Sequence, residues 1–163
     1  MTEESLNSII PLIQDGIEEC RRMQMDLRPG ILDDLGLLAT LSWFCRRFKT
    51  IYSTIQIVQE IAVEEGAIPN ALKIVIYRVV QEAMNNIAKY SKASLVNLSL
   101  RKEDAKIQLT IQDNGQGFDL ETVKKGMGLS TMRERAQLSG GAFAIESAKG
   151  IGTIIGVSWP VQL

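Results

Sequence analysis

Apolar residues recur at every third or fourth position over residues 3–28, and this spacing predicts an amphipathic helix. Pro11 lies inside the pattern and predicts a kink, or a helix start, near that point. Pro29 and Gly30 are typical of a helix end. The same spacing returns over residues 33–48 and predicts a second helix, with two aspartates at the end that favours acidic side chains. The chain is therefore expected to begin with two helices.

The pattern changes to alternation after residue 54. Ile55, Ile57 and Val58 predict a strand, and a long apolar helix is predicted over residues 70–90. Apolar and polar residues then alternate with a period of two, which is typical of half-buried strands. The elements predicted from there onward are strands over residues 94–101 and 106–112, a short helix over 129–138, and strands over 142–147 and 153–161.

Helices packed on one side of this sheet predict an α+β fold, a two-layer α/β sandwich. The sheet is expected to be mixed and mostly antiparallel. We expect two parts, a helical segment over residues 1–30 and one domain over residues 31–163.

Composition narrows the functional classes. The chain has 163 residues, of which 45% are hydrophobic, and a net charge of −1, so charge gives no reason to expect binding to nucleic acid or to an anionic membrane. No signal peptide follows Met1, and Cys20 and Cys45 are expected to be reduced core thiols of a cytosolic protein. The sequence contains no histidine, which excludes histidine-based catalysis and histidine metal sites within it.

Polar residues form a stripe on the long predicted helix. Glu82, Asn86 and Lys89 follow one another at spacings of four and three, so they share one edge of an otherwise apolar helix. An amide oxygen can ligate Mg²⁺, an amine can contact phosphate, and a carboxylate can order water or take a proton. The alternative interpretation is a solvated face with ordinary side-chain pairing.

The segment Asp113-Asn114-Gly115-Gln116-Gly117-Phe118 follows a predicted strand. A carboxylate can accept a hydrogen bond from a ligand amino group, and glycines let the backbone approach a ligand closely. The alternative is a simple hairpin turn, but no strand-like alternation follows within the next ten residues.

Two further glycine pairs are weaker evidence for a nucleotide-binding site. Gly126 and Gly128 precede a predicted helix, where free N–H groups favour phosphate, although helix capping explains them equally well. Gly150 and Gly152, before Thr153, also fit a β-turn. The Walker pattern of a P-loop is absent.

The order of these motifs resembles the Bergerat (GHKL) ATPases, and most closely the bacterial two-component sensor histidine kinases that partner helix-turn-helix response regulators. Residues 81–91 resemble the N box, and residues 113–118 and 126–136 resemble the two G boxes. Residues 26–29 and 32–37 resemble the end of the dimerisation domain and its link to the ATPase domain.

The resemblance implies two ends of an ATP site. At the phosphate end, Asn86 would ligate Mg²⁺, Glu82 would order water or act as the base, and Lys89 would contact phosphate. At the adenine end, Asp113 would bind the amino group, and Thr153 would assist through its hydroxyl or a water. The other positions expected to line the site are Tyr90, Gly115, Gly117, Gly126, Met127, Gly128 and Leu129, with residues 119–125 as a short lid.

The resemblance also implies an activity for a longer protein. The expected function is the ATP-binding catalytic region of a sensor histidine kinase, which passes the γ-phosphoryl group to a histidine outside these residues and then to a response-regulator aspartate. Tyr90 stands where this subfamily usually has histidine. Residues 1–30 would be part of a dimerisation helix of a homodimer, and the domain would be cytoplasmic, with any membrane anchor elsewhere. The alternatives are an anti-sigma-factor-type serine kinase and a non-catalytic nucleotide-sensing module.

Overall fold

The computed structural model describes residues 30–120 and 127–161, and isolated positions among residues 9–17. Its first two helices are α1, Gly30–Asp34, and α2, Gly36–Ile51. The predicted single helix over residues 33–48 was therefore wrong at its start. The backbone of Gly36 has a φ of 83°, a left-handed conformation that interrupts the right-handed helix.

The start of α2 is capped from a distant part of the chain. The Glu65 carboxylate accepts hydrogen bonds from the N–H groups of Leu37 and Leu38, both at 2.9 Å, and its Oε1 lies 2.7 Å from Lys73 Nζ. A Cβ atom on Gly36 would overlap this carboxylate. The acidic cap that the sequence assigned to two aspartates is thus supplied by Glu65, at the start of the single 3-10 turn Glu65–Ala67.

Five strands form one sheet in the order β1-β2-β3-β5-β4. Strands β1 and β2 pair in parallel, and the other three pairings are antiparallel, so the predicted mixed, mostly antiparallel sheet is confirmed. The strands are β1 Gln56–Ala62, β2 Leu95–Glu103, β3 Lys106–Asp113, β4 Ala142–Ala148 and β5 Gly152–Pro160.

The helices α3, Asn70–Asn86, and α4, Met127–Leu138, pack with α2 over one face of this sheet. The predicted helix over residues 70–90 exists, but its last part, Ile87–Ser91, widens into a π-helical turn. Buried and less buried positions alternate along β2 and β3, which leaves the second face of the sheet open. The predicted two-layer fold is confirmed.

The core lies between the sheet and the helices. Phe44, Tyr77 and Trp159 are among its largest fully buried side chains. Cys45 is a free cysteine in the core, as the sequence predicted, and burial raises the pKa of its thiol to about 12. Cys20 and most of the predicted helix over residues 3–28 lie outside the described residues, so the two-part division of the chain stays a prediction. Within the described part of the chain, no helix is long and apolar enough to cross a bilayer.

Candidate functional site

Asp113 lies at the end of β3, in the middle of the sheet. Its neighbours across the strands are Val96 on β2 and Thr153 on β5. Residues directly opposite each other in an antiparallel pair point to the same face, so the Asp113 carboxylate and the Thr153 hydroxyl share the helix-covered face of the sheet. The sequence predicted these two residues for one site, and the structure brings them together.

The Asp113 carboxylate is enclosed but sparsely hydrogen-bonded. The residue is 5% exposed, and its Oδ1 accepts a hydrogen bond from the Gly115 N–H at 2.8 Å. Burial raises the pKa of Asp113, and the Gly115 hydrogen bond opposes that rise without cancelling it. A buried carboxyl with a displaced pKa is typical of a functional site.

Gly115 lies against the end of the α3 segment. A Cβ atom there would overlap the Ser91 carbonyl oxygen and would lie 2.7 Å from Asp113 Oδ1. The neighbouring Gln116 donates its backbone N–H to Ser91 O and its side-chain Nε2–H to Tyr90 O, both at 2.7 Å. The wide π-helical turn thus presents two carbonyls that hold the loop after Asp113 in place.

Gly117 and Gly152 permit a second close approach, between this loop and the β4–β5 hairpin. Gly117 has a φ of 55°, and a Cβ there would overlap the Ala148 carbonyl oxygen. Gly152 has a φ of 108°, and a Cβ there would overlap the Asp113 carbonyl oxygen. Gly117, which was predicted to line the site, and Gly152 therefore let two backbone segments touch beside Asp113.

Ser147 on β4 joins these segments through its hydroxyl. Its Oγ lies 3.0 Å from Thr153 Oγ1, accepts the Phe118 N–H at 3.0 Å, and donates to the Gly152 carbonyl at 3.1 Å. The hydroxyl predicted to help bind adenine is therefore held by a neighbour on the adjacent strand.

The second half of the site lies between α3 and the start of α4. A Cβ atom on Gly128 would overlap Glu82 Oε1 and would lie 3.3 Å from Asn86 Nδ2. Glu82 and Asn86, both partly buried, therefore meet the first turn of α4, whose N–H groups lack partners within the helix. The predicted polar stripe is thus brought against the predicted glycine segment, which argues against a merely solvated face.

The remaining predicted residues are placed less tightly. Lys89 and Tyr90 lie on the π-helical turn with exposed side chains, and Tyr90 contributes its backbone carbonyl. Leu129 is partly buried and packs against the core. Met127 begins α4, while Gly126 and most of the predicted lid lie outside the described residues.

Three residues that shape the site were not predicted from the sequence. Asn114 Oδ1 accepts the N–H groups of Ser94 and Leu95 at 3.0 and 2.9 Å, which ties the loop to the start of β2. These bonds reach back to the start of another strand, so the local turn chemistry of the Asp-Asn-Gly segment gave no signal for them. The Ser91 carbonyl and the Ser147 hydroxyl also bond to residues of this loop that are distant in sequence, Gln116 and Phe118, and gave no signal for the same reason.

Comparison with known proteins agrees with this geometry. Residues 71–163 match the family of histidine kinase-, DNA gyrase B- and HSP90-like ATPases. The signal transduction histidine-protein kinase/phosphatase DegS of Brevibacillus brevis is 33% identical over 159 residues, an alignment that covers 97% of this chain and 41% of DegS. The chain thus spans about two fifths of the length of that curated relative.

Solved structures show the same fold. The histidine kinase domain of the blue-light activated histidine kinase EL346 from Erythrobacter litoralis superposes with a TM-score of 0.67 at 18% identity, over 77% of this chain and 61% of that one. The histidine kinase AdeS of Acinetobacter baumannii gives 0.61 at 14% identity, over 100% and 87%. Since the family match covers more than half of the chain, this chain belongs to the histidine kinase-, DNA gyrase B- and HSP90-like ATPases.

Proposed function

We propose that this chain binds ATP with Mg²⁺ in the cleft formed by α3, the loop after β3 and the start of α4. In the full-length protein, the γ-phosphoryl group of that ATP is transferred to a histidine. The observation that carries the proposal is the contact at Gly128, where the side chains of Glu82 and Asn86 lie directly against the first turn of α4.

The residues at that contact fit Mg²⁺ held jointly with a nucleotide. Mg²⁺ is usually bound by one or two protein oxygens together with phosphates and waters, and Asn86 and Glu82 offer one amide and one carboxylate. The described residues contain no group of three or more His, Cys, Asp or Glu side chains that could hold a metal without the nucleotide. When bound, Mg²⁺ neutralises charge on the phosphates.

The chain's own residues have the other roles in binding ATP and in the transfer of its phosphoryl group. The N–H groups at the start of α4 and the Lys89 ammonium contact phosphate oxygens. Glu82 orders water or accepts a proton beside the γ-phosphate. Asp113 accepts the adenine amino group, with Thr153 beside it. The exposed Tyr90, together with Met127 and Leu129, completes the wall of the site.

The wider function concerns the full-length protein. We propose that it is a homodimer whose dimerisation helix includes residues 1–30 and that it passes phosphate from histidine to an aspartate of a response regulator with a helix-turn-helix output domain. The domain acts in the cytoplasm. The kinase names of the relatives and the fold support this proposal.

Calorimetric titration with ATP tests the metal role of Asn86. In the presence of Mg²⁺, Asn86→Ala should weaken ATP binding about tenfold, which corresponds to about 1.4 kcal/mol. In EDTA, the variant should bind ATP as tightly as the wild type does. Asn85→Ala is the matched control, because this neighbouring amide points about 100° away around α3. Equal weakening in EDTA would show that Asn86 does not act through Mg²⁺.

Labelling with γ-³²P ATP tests the transferase. The chain contains no histidine, so by itself it should bind ATP and incorporate no acid-labile phosphate. A longer chain that includes the histidine-bearing helix should become labelled. If the longer chain binds ATP and stays unlabelled, the non-catalytic nucleotide-sensing module becomes the correct interpretation.

A further inference from the structure

Ser147 lies outside the motifs of the sequence, yet its hydroxyl contacts Phe118, Gly152 and Thr153 beside Asp113. It lies on β4 directly opposite Thr153 on β5, and it is partly buried. We propose that Ser147 is a positioning residue that fixes the Thr153 hydroxyl as a hydrogen-bond acceptor and thereby selects bases with an amino group, as in adenine, over bases with a carbonyl at that position. The inference rests on the proposed ATP site and assigns its base selectivity.

The direction of the bond between Ser147 and Thr153 depends on the single proton of the Ser147 hydroxyl. A serine oxygen has one hydrogen to donate and two lone pairs that accept. The Gly152 carbonyl, 3.1 Å away, can only accept, so the Ser147 proton points to it. The Phe118 N–H can only donate, so it occupies one Ser147 lone pair at 3.0 Å.

One lone pair of Ser147 is then left for Thr153. The two hydroxyl oxygens lie 3.0 Å apart, and because the Ser147 proton is already engaged, Thr153 must be the donor. All three hydrogen-bonding positions of Ser147 are then filled. The Thr153 proton is directed toward Ser147, and its remaining lone pairs face away from that bond.

This orientation gives the site two acceptors side by side. Asp113 and Thr153 are opposite each other on β3 and β5 and point to the same face. A ligand edge that meets both must supply N–H donors, as the 6-amino group of adenine does. A 6-carbonyl would meet oxygen lone pairs from both residues and would be rejected, because unpaired polar groups in a site discriminate strongly.

The test compares binding of ATP and ITP, whose bases carry an amino group and a carbonyl at the same position. Wild-type protein should bind ATP much more tightly than ITP. In Ser147→Ala the Thr153 hydroxyl is free to rotate and donate, so the preference for ATP should fall about tenfold, the value of one hydrogen bond. Ser147→Thr keeps the hydroxyl and should keep the preference.

A double mutant shows whether the effect passes through Thr153. Thr153→Val should also reduce the preference, and Ser147→Ala added to Thr153→Val should reduce it no further. If Ser147→Ala does not fold, the variants Thr153→Val and Thr153→Ser can be compared instead. Only Thr153→Ser should keep the preference for ATP over ITP, because it keeps the hydroxyl.

The outcomes separate this inference from the proposed function. If wild-type protein binds neither nucleotide, the ATP site itself is wrong. If ATP binds and Ser147→Ala weakens both nucleotides equally, Ser147 merely supports the fold and the inference is overturned. If the double mutant loses more of the preference for ATP over ITP than Thr153→Val does, Ser147 does not act through Thr153 and the inference is overturned.

Discussion

Asp113 and Glu65 are carboxylates of the same domain whose surroundings displace their pKa values in opposite directions. Burial raises the pKa of Asp113, and the Gly115 N–H offsets this only in part. Burial also acts to raise the pKa of Glu65, but the pKa is lowered overall, because Lys73 and two backbone N–H groups favour the charged form.

The contrast separates two uses of one functional group. Glu65 finds its hydrogen-bond donors within the fold, where it caps α2 and pairs with α3. Asp113 lies in a nearly closed setting with a single N–H from Gly115 at its Oδ1, so part of its hydrogen-bonding capacity is left for a ligand. We therefore interpret the sparsely hydrogen-bonded carboxylate of Asp113 as a ligand-binding group and the well-bonded carboxylate of Glu65 as a structural one.

The largest expected effect comes from destroying the close approach beside Asp113. Gly117→Ala adds a Cβ that overlaps the Ala148 carbonyl at a φ of 55°, so it should destabilise the domain by about 3 kcal/mol or more and abolish measurable ATP binding. Chemical denaturation and calorimetry provide the two measurements.

Gly150→Ala is the matched control for that variant. Gly150 lies in the β4–β5 hairpin that Gly117 contacts and has a φ of 80°, but nothing lies within 4 Å of its added Cβ. Only the strain of a left-handed backbone remains, about 1–2 kcal/mol, and ATP should still bind. Equal losses in the two variants would mean that backbone conformation, rather than the contact with Ala148, explains Gly117.

Asp113→Asn should affect binding and stability in opposite senses. Loss of a charge-assisted hydrogen bond should weaken ATP by about 1.5–3 kcal/mol, or roughly ten- to a hundredfold. The nucleotide-free domain should melt at a higher temperature near neutral pH, because a buried charge is removed while Asn keeps an oxygen for the Gly115 N–H. A variant that binds ATP as wild type would remove Asp113 from the site.

Local patterns were sufficient to predict most of the fold. The strands β2, β3, β4 and β5 were predicted to within two residues at each end, because one face of each is buried and alternation follows directly. Helical spacing alone placed Glu82 and Asn86 on one edge of α3, whereas the order of the motifs and its resemblance to the Bergerat ATPases assigned Asp113 and Thr153 to the same site, and the roles of all four residues stay predictions.

Contacts between distant residues were the part that could not be predicted. Glu65 caps a helix 28 residues earlier, so nothing near Gly36 in the sequence indicates the partner. The π-helical turn Ile87–Ser91 is likewise set by what it touches, since its carbonyls hold the loop at Gln116. The role of Ser147 could not be predicted either, because it depends on the register of β4 with β5.

Glu65→Ala should lower stability without disturbing the binding end. Loss of an N-terminal cap typically costs about 1–2 kcal/mol, and in a domain of this size each kcal/mol lowers the melting temperature by about 2–4 °C. Affinity for ATP should change less than about twofold, since additivity holds for distant sites. A marked loss of ATP affinity would show that the α2 cap and the nucleotide site are coupled.

The smallest expected effect is also the sharpest test of the two carboxylates, because pH should act on them in opposite ways. The lowered pKa of Glu65 means that its stabilisation is present above the unfolded value of about 4.3 and is lost as pH falls through the folded pKa. The raised pKa of Asp113 means that its ionisation destabilises the domain as pH rises through the folded pKa. Glu65→Gln should therefore be less stable than wild type at about pH 7. The difference should be less than about 1 kcal/mol, because the ion pair with Lys73 is partly exposed. It should vanish near pH 3, where the Glu65 carboxyl is protonated. Asp113→Asn should be more stable than wild type at about pH 7 and equal to it near pH 3. Denaturation curves of the three proteins across this range measure both differences, and two differences of the same sign at neutral pH would contradict the distinction between a carboxylate satisfied by the fold and one left for a ligand.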